Sequence, residues 1–126
     1  MAETVSAAGG AMVVALTAYT TGVWAERLSR RLRTWHVLAF WIGLTADTWG
    51  THQMFGIAGH WMFTFHALTG ALALSLMAAH VLWASVVLLR AEPRALAQFH
   101  RVSTLVWTVW LVPFLAGALL AVNGRP

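Results

Sequence analysis

The run WMFTFHALTGALALSLMAAHVLWASVVLL, Trp61 to Leu89, decides the fold class, because it holds neither a charged side chain nor a proline. A helix of ~20 apolar residues crosses a hydrocarbon layer of ~30 Å, and this run is longer. It lacks the strict alternation of a strand, so its backbone groups are satisfied within a helix. Three other apolar segments flank it: Gly9–Trp24, Trp35–Phe55 and Val102–Val122. The first is near the lower limit for a span, and the other two reach full length. The expected fold is therefore all-α, a four-transmembrane-helix up-down bundle. It forms a single integral membrane domain over 1–126, with helices at about 9–24, 35–55, 61–89 and 102–122. Short connections make successive helices antiparallel neighbours.

Composition agrees, since 60% of the 126 residues are hydrophobic and 10% charged, leaving little for a soluble surface. The net charge of +4 and pI near 11.5 come entirely from arginine. Arg27, Arg30, Arg31 and Arg33 lie between the first two segments, and Arg90, Arg94 and Arg101 between the last two. The connection Gly56–His60 carries no basic residue. The positive-inside rule then places both basic loops in the cytoplasm and both termini outside, in a multi-pass protein of the bacterial inner or plasma membrane. Topology and contact with anionic membrane lipids account for these charges. No aromatic-interleaved basic face accompanies them, so nucleic acid is not an expected partner. Met1–Ala8 has no basic residue ahead of the apolar run, so the first segment is expected to be kept as a helix. The absence of cysteine excludes disulfides, thiolate metal sites and iron–sulfur clusters.

Local signals refine the boundaries. Thr34 is the expected N-cap of the second helix, Pro93 the reason the third stops near Arg90, and Pro113 a kink in the fourth. The connections are expected to be about ten, five or six, and about ten residues long. Trp24, Trp35, Trp49 and Trp61 read as interfacial anchors. Trp83, Trp107 and Trp110 read as interior packing residues.

The chemistry lies in the histidines and one acid. His66 and His80 are fourteen residues apart, 40° short of four turns, so they share a helix face ~21 Å apart. Gly70 lies on that face and Met77 near His80. Membrane b-type cytochromes use such a face to stack hemes: imidazole ligates iron, and glycine admits the porphyrin edge. In the second segment Gly43, Asp47 and Gly50 fall within about 40° of His36. Asp47 is the one acid inside the four segments, and an intramembrane acid faces the bundle interior and marks a site by default. Its functional roles would be proton relay, heme-propionate neighbour or orientation of an imidazole. Its structural role would be an interhelical or capping hydrogen bond with Thr48 or Thr51.

His36 and His100 open the second and fourth helices at the basic side, with Trp107 and Leu111 following His100 on its face. An inner site formed by His80 with His36 or His100 is expected, and His66 needs His52, Met12 or an open position. Depth does not choose between the pairings, because the third segment is too long for counts from its two ends to agree. His52 and His60 lie near a helix end and in a loop, where water solvates them. A zinc site would need more clustered ligands, and no catalytic triad, phosphate loop or dinucleotide fingerprint occurs.

The strings YTTGVWAERL, TWHVLAFWIGLTADTWGT, FHALTG, AHVLWA and FHRVSTLVWTVWLVPF, spanning Tyr19 to Ala118, resemble the small four-helix heme-sensing membrane proteins of the HsmA family. The resemblance implies an integral membrane protein that captures heme and limits heme and oxidative toxicity. His36, Asp47, His66, His80 and His100 stand in the matching motifs; His52 and His60 lie outside them.

The sequence therefore points to a cytochrome b-like protein binding one or two heme b groups, for sequestration, sensing or electron transfer rather than a defined catalytic reaction. His36, His66, His80 and His100 are the axial candidates, with His52 behind them; Asp47, Gly43 and Gly70 are the expected lining. A second copy of the chain or a redox partner is the expected protein partner. The alternative is a quinone- or proton-handling membrane subunit or small transporter using Asp47 and the histidines. A third reading is an assembly partner whose histidines only hydrogen-bond between helices.

Overall fold

The computed structural model describes residues 2–58 and 65–123. Four helices account for nearly all of them: α1 Ala2–Ser29, α2 Thr34–Ala58, α3 Phe65–Arg90 and α4 Pro93–Asn123. No strand occurs among the described residues. His60, Trp61 and the side chain of His66 lie outside what is described.

The helices outrun the apolar segments. α1 continues to Ser29, and α4 begins at Pro93 rather than near 102. The basic connections thus shrink to 30–33 and 91–92, in place of about ten residues each. Hydropathy measures the greasy part of a helix, whereas arginine, glutamine and alanine extend one without penalty. Pro93 does more than stop α3. It is the first residue of α4, a position where its missing N–H costs nothing. α1 and α3 both end on a left-handed residue, Arg30 (φ 57°) and Ala91 (φ 51°), whose N–H groups return to Glu26 O at 2.8 Å and Val87 O at 3.0 Å. Neither is glycine, so no sequence signal marked these turns. The first turn is tied to α4 where Leu32 N–H donates to Leu96 O at 3.0 Å. α4 passes through Pro113 and stays helical to Asn123.

Each helix neighbours the next, and α1 also packs on α4, closing the four-helix bundle. The α1–α2 pair is the most intimate, and two glycines explain why. Tyr19 lies over Gly43, where a Cβ would stand 2.5 Å from the ring, and Phe40 lies over Gly22, where it would stand 2.7 Å away. Two aromatic rings thus settle reciprocally into two backbone notches, and their order shows the helices antiparallel. The α2–α3 and α1–α4 contacts are thinner, leaving two hairpins laid together.

The buried residues fall on helical stripes. Ala15, Tyr19, Val23 and Glu26 come from α1; His36, Val37, Phe40 and Asp47 from α2. α3 contributes Ala73, Met77, His80, Ala84 and Val87, and α4 Leu96, Phe99, Ser103, Val106 and Trp110. Large apolar side chains such as Val14, Leu38, Ile42, Leu72, Leu82 and Leu105 face outward, while an acid or imidazole faces inward at several positions. Trp83, expected inside, is about half exposed on the outer wall of α3. Leu68–Arg90 and Pro93–Leu119 are long and apolar enough to cross a membrane. Only 33% and 17% of their apolar windows are buried, unlike the mostly covered core helix of a soluble protein.

Candidate functional site

The interior polar groups form two layers. The layer farther from the basic turns centres on Asp47, which is 2% exposed. Its Oδ2 accepts from the Tyr19 hydroxyl at 3.1 Å and from Trp110 Nε1 at 3.0 Å, and its Oδ1 from the Thr51 hydroxyl at 3.4 Å. Tyr19 and Trp110 also meet edge to face, with ring centroids 4.9 Å apart. Asp47 therefore joins α1, α2 and α4, with both carboxylate oxygens taken by protein donors. Thr51 was a foreseeable partner; Tyr19 and Trp110 were not, because they come from other helices. One turn away on α4, Trp107 donates to Thr20 at 3.0 Å. His36, Gly43, Asp47 and Gly50 do share one buried face of α2. The notch at Gly43 is filled by Tyr19, whereas Gly70 has no atom within 4 Å of where a Cβ would stand.

The second layer lies toward the basic turns and takes one polar residue from each helix: Glu26, His36, His80 and Ser103, all at most 4% exposed. Asp47 is thus not the one buried acid. Glu26 follows Tyr19 by two turns on the stripe of α1 that faces the core, beyond the apolar run that defined the first segment. Burial pushes its carboxyl up to about 7. The Ser103 hydroxyl lies near enough to favour its ionised form, yet neither Glu26 oxygen is in hydrogen-bond geometry with a partner.

His36 is held by the start of its own helix. Arg33 N–H donates to His36 Nδ1 at 3.0 Å, and His36 N–H returns to Arg33 O at 3.1 Å. This makes Arg33 the cap and Thr34 the first helical residue, with the imidazole in the role glutamate fills in a capping box. A nitrogen that accepts carries no proton, so neutral His36 is protonated at Nε2, which is buried without a partner.

His80 is the central imidazole. Phe40 of α2 lies 4.9 Å from it and Phe99 of α4 stacks on it at 5.4 Å and 20°. Its Nε2 is 2.8 Å from the Ser103 hydroxyl, and its Nδ1 is buried without a partner. Its immediate partners are therefore Ser103 and two phenyl rings, not His36 or His100. His100, half-buried with Trp107 and Leu111 on the same face of α4, also keeps a buried partnerless Nδ1. His52 stands apart, on a groove of about 490 Å³ walled by Trp41 and Trp49 on the outside of α2. Among the described residues no three His, Cys, Asp or Glu side chains gather as a metal-binding group.

Fold and site define an all-α four-helix bundle with an apolar exterior and two buried polar layers. No family model, no curated protein and no solved structure matches the chain.

Proposed function

We propose that this chain is a four-span membrane protein that binds heme b through His80, with both basic turns cytoplasmic and both termini outside. The observation that carries this is the His80 imidazole: one ring nitrogen is engaged by a hydroxyl, while the other is buried and bare. Histidine ligates heme iron through Nε2, the nitrogen remote from its own Cβ, so ligation by His80 would exchange its single bond to Ser103 for iron. His100, half-buried on α4, is the second axial candidate. His36 fits poorly, because its Nδ1 is spent on the helix cap and its Nε2 holds the proton. Gly43 offers no cradle, and Asp47 has no free oxygen to offer a propionate. The thin contact between the two hairpins is the seam through which a flat ring would reach His80, past Phe40. Arg31 and Arg33 line an open groove of about 590 Å³ at the same end, where a heme's carboxylates would find cations. The outward apolar surface supports the membrane setting, and the resemblance to the HsmA family supports sequestration or sensing of heme. Bound heme would supply an iron centre with one-electron redox chemistry; the chain supplies a ligand and a dry, apolar surround.

The test is heme per protein and the optical spectrum of the purified chain. A red protein whose Soret band sharpens on dithionite reduction, and which His80→Ala bleaches, is the expected result. Colourless protein that takes up no added hemin overturns it. The proton-handling reading has one observation in its favour, the buried and partnerless carboxyl of Glu26. It predicts pH-driven proton flux in liposomes that Glu26→Gln abolishes.

A further inference from the structure

Beside the two basic turns, a groove of about 590 Å³ opens on the outside of the bundle between the start of α2 and the end of α3. Arg31, Arg33, Thr34 and Trp35 line the end nearer the turns, and Leu38 and Leu88 carry it about a turn further along the two helices. Glu92, the one acid in the two turns, does not line it. Arg31 and Arg33 are engaged through their backbones, by Ser29 and His36. Among the described residues neither guanidinium, nor the exposed Trp35 indole N–H, has a hydrogen-bond or ion-pair partner. Arg27, by contrast, is committed: its guanidinium donates to Thr104 at 3.3 Å and lies 5.9 Å from the Trp24 ring centroid. The other end of the groove runs onto bare hydrocarbon. Leu38 and Ile42, neighbours on one face of α2, are each 57% exposed. Trp41 Nε1 donates to Ser85 Oγ at 3.0 Å, bridging α2 and α3 at the surface just beyond Leu38.

We propose that this groove seats one anionic phospholipid of the cytoplasmic leaflet, its phosphate on Arg31 and Arg33 and its acyl chains over Leu38 and Ile42. Basic pockets between membrane helices on the cytoplasmic side take anionic head groups in this way. The site rests on the membrane setting proposed above and not on heme. A free phosphate answers the arginines but leaves the leucines bare, and a heme carboxylate brings no chains to cover α2. The lipid is therefore the occupant in the heme-free chain.

The experiment is native mass spectrometry of the detergent-solubilised full chain, titrated with phosphatidylglycerol or with phosphatidylcholine of the same chain length. The wild type is expected to retain one phosphatidylglycerol per chain and to hold phosphatidylcholine more weakly. Arg31→Gln and Arg33→Gln each weaken that retention about 5-fold, and together about 30-fold. Arg94→Gln with Arg101→Gln removes the same charge outside the groove and leaves the lipid in place, as does excess inorganic phosphate. Equal losses in the two double variants, equal retention of the two lipids, or displacement by inorganic phosphate overturns the proposal. Since both guanidiniums lack protein partners, the variants are expected to keep their helix content by circular dichroism, and the single changes carry the test if the double unfolds. Cell fractionation checks the setting separately. Protein released from membranes only by detergent, yet indifferent to phosphatidylglycerol, overturns the site and leaves the membrane reading standing; protein in the soluble fraction overturns both.

Discussion

Tyr19 reaches across α1 and α2 to do two things at once: its ring fills the notch over Gly43, and its hydroxyl donates to Asp47 at 3.1 Å, one turn further along α2. Tyr19→Phe keeps the ring and deletes the donor. With Trp110 and Thr51 still on the carboxylate, the loss is that of one bond to a charged group, about 1.5–3 kcal/mol. Asp47→Ala strands three donors and costs more. Unfolding of detergent-solubilised protein in increasing SDS measures both, and equal losses would contradict the network.

Two glycines on the expected heme lining are predicted to behave oppositely. Gly43→Ala drives a methyl to 2.5 Å from Tyr19 and separates α1 from α2, at about 1–3 kcal/mol. Gly70→Ala meets nothing within 4 Å, so helix propensity dominates and stability rises by up to about 1 kcal/mol. The same unfolding titration resolves the sign.

Burial raises the Glu26 carboxyl from its ordinary 4.5 to about 7. The folded protein therefore binds this proton more tightly than the unfolded chain. The Glu26 contribution is fully present below about pH 4.5 and is lost as pH rises through about 7. Thermal midpoints of the wild type are expected to fall relative to those of Glu26→Gln as pH rises across that window. A difference between the two proteins that stays constant from pH 4.5 to 7 would contradict the burial of this acid.

His36 and His80 separate a cap from a ligand. His36→Ala removes the acceptor for Arg33 N–H and costs about 0.5–2 kcal/mol, with hemin uptake and its spectrum retained. His80→Ala abolishes the spectrum. A spectrum lost on His36→Ala in a protein that still folds would reassign the iron to His36.

Much of the helical architecture was legible along the chain. Long apolar runs without the alternation of a strand read as helices, so the four helices follow from local hydropathy, and the buried stripe of His36, Gly43, Asp47 and Gly50 follows from helical period alone. The ends of the helices did not follow, because Arg30 and Ala91 adopt left-handed turns without the glycine that announces them. Nor did the partners. Histidines and an acid can be counted from a sequence, but His80 meets Ser103 across twenty-three residues and Asp47 meets Trp110 across sixty-three. Serine and tryptophan carry no periodic signal of that role. Glu26 went unseen because hydropathy ended the first segment at Trp24, while the helix carries the acid one half-turn further on and still facing the core. The helices were determined by each segment's own backbone and polarity. Which imidazole is capped, which is held by a hydroxyl and which keeps a bare nitrogen was decided only when four helices met, because each of those states is set by a neighbour that the chain brings from elsewhere.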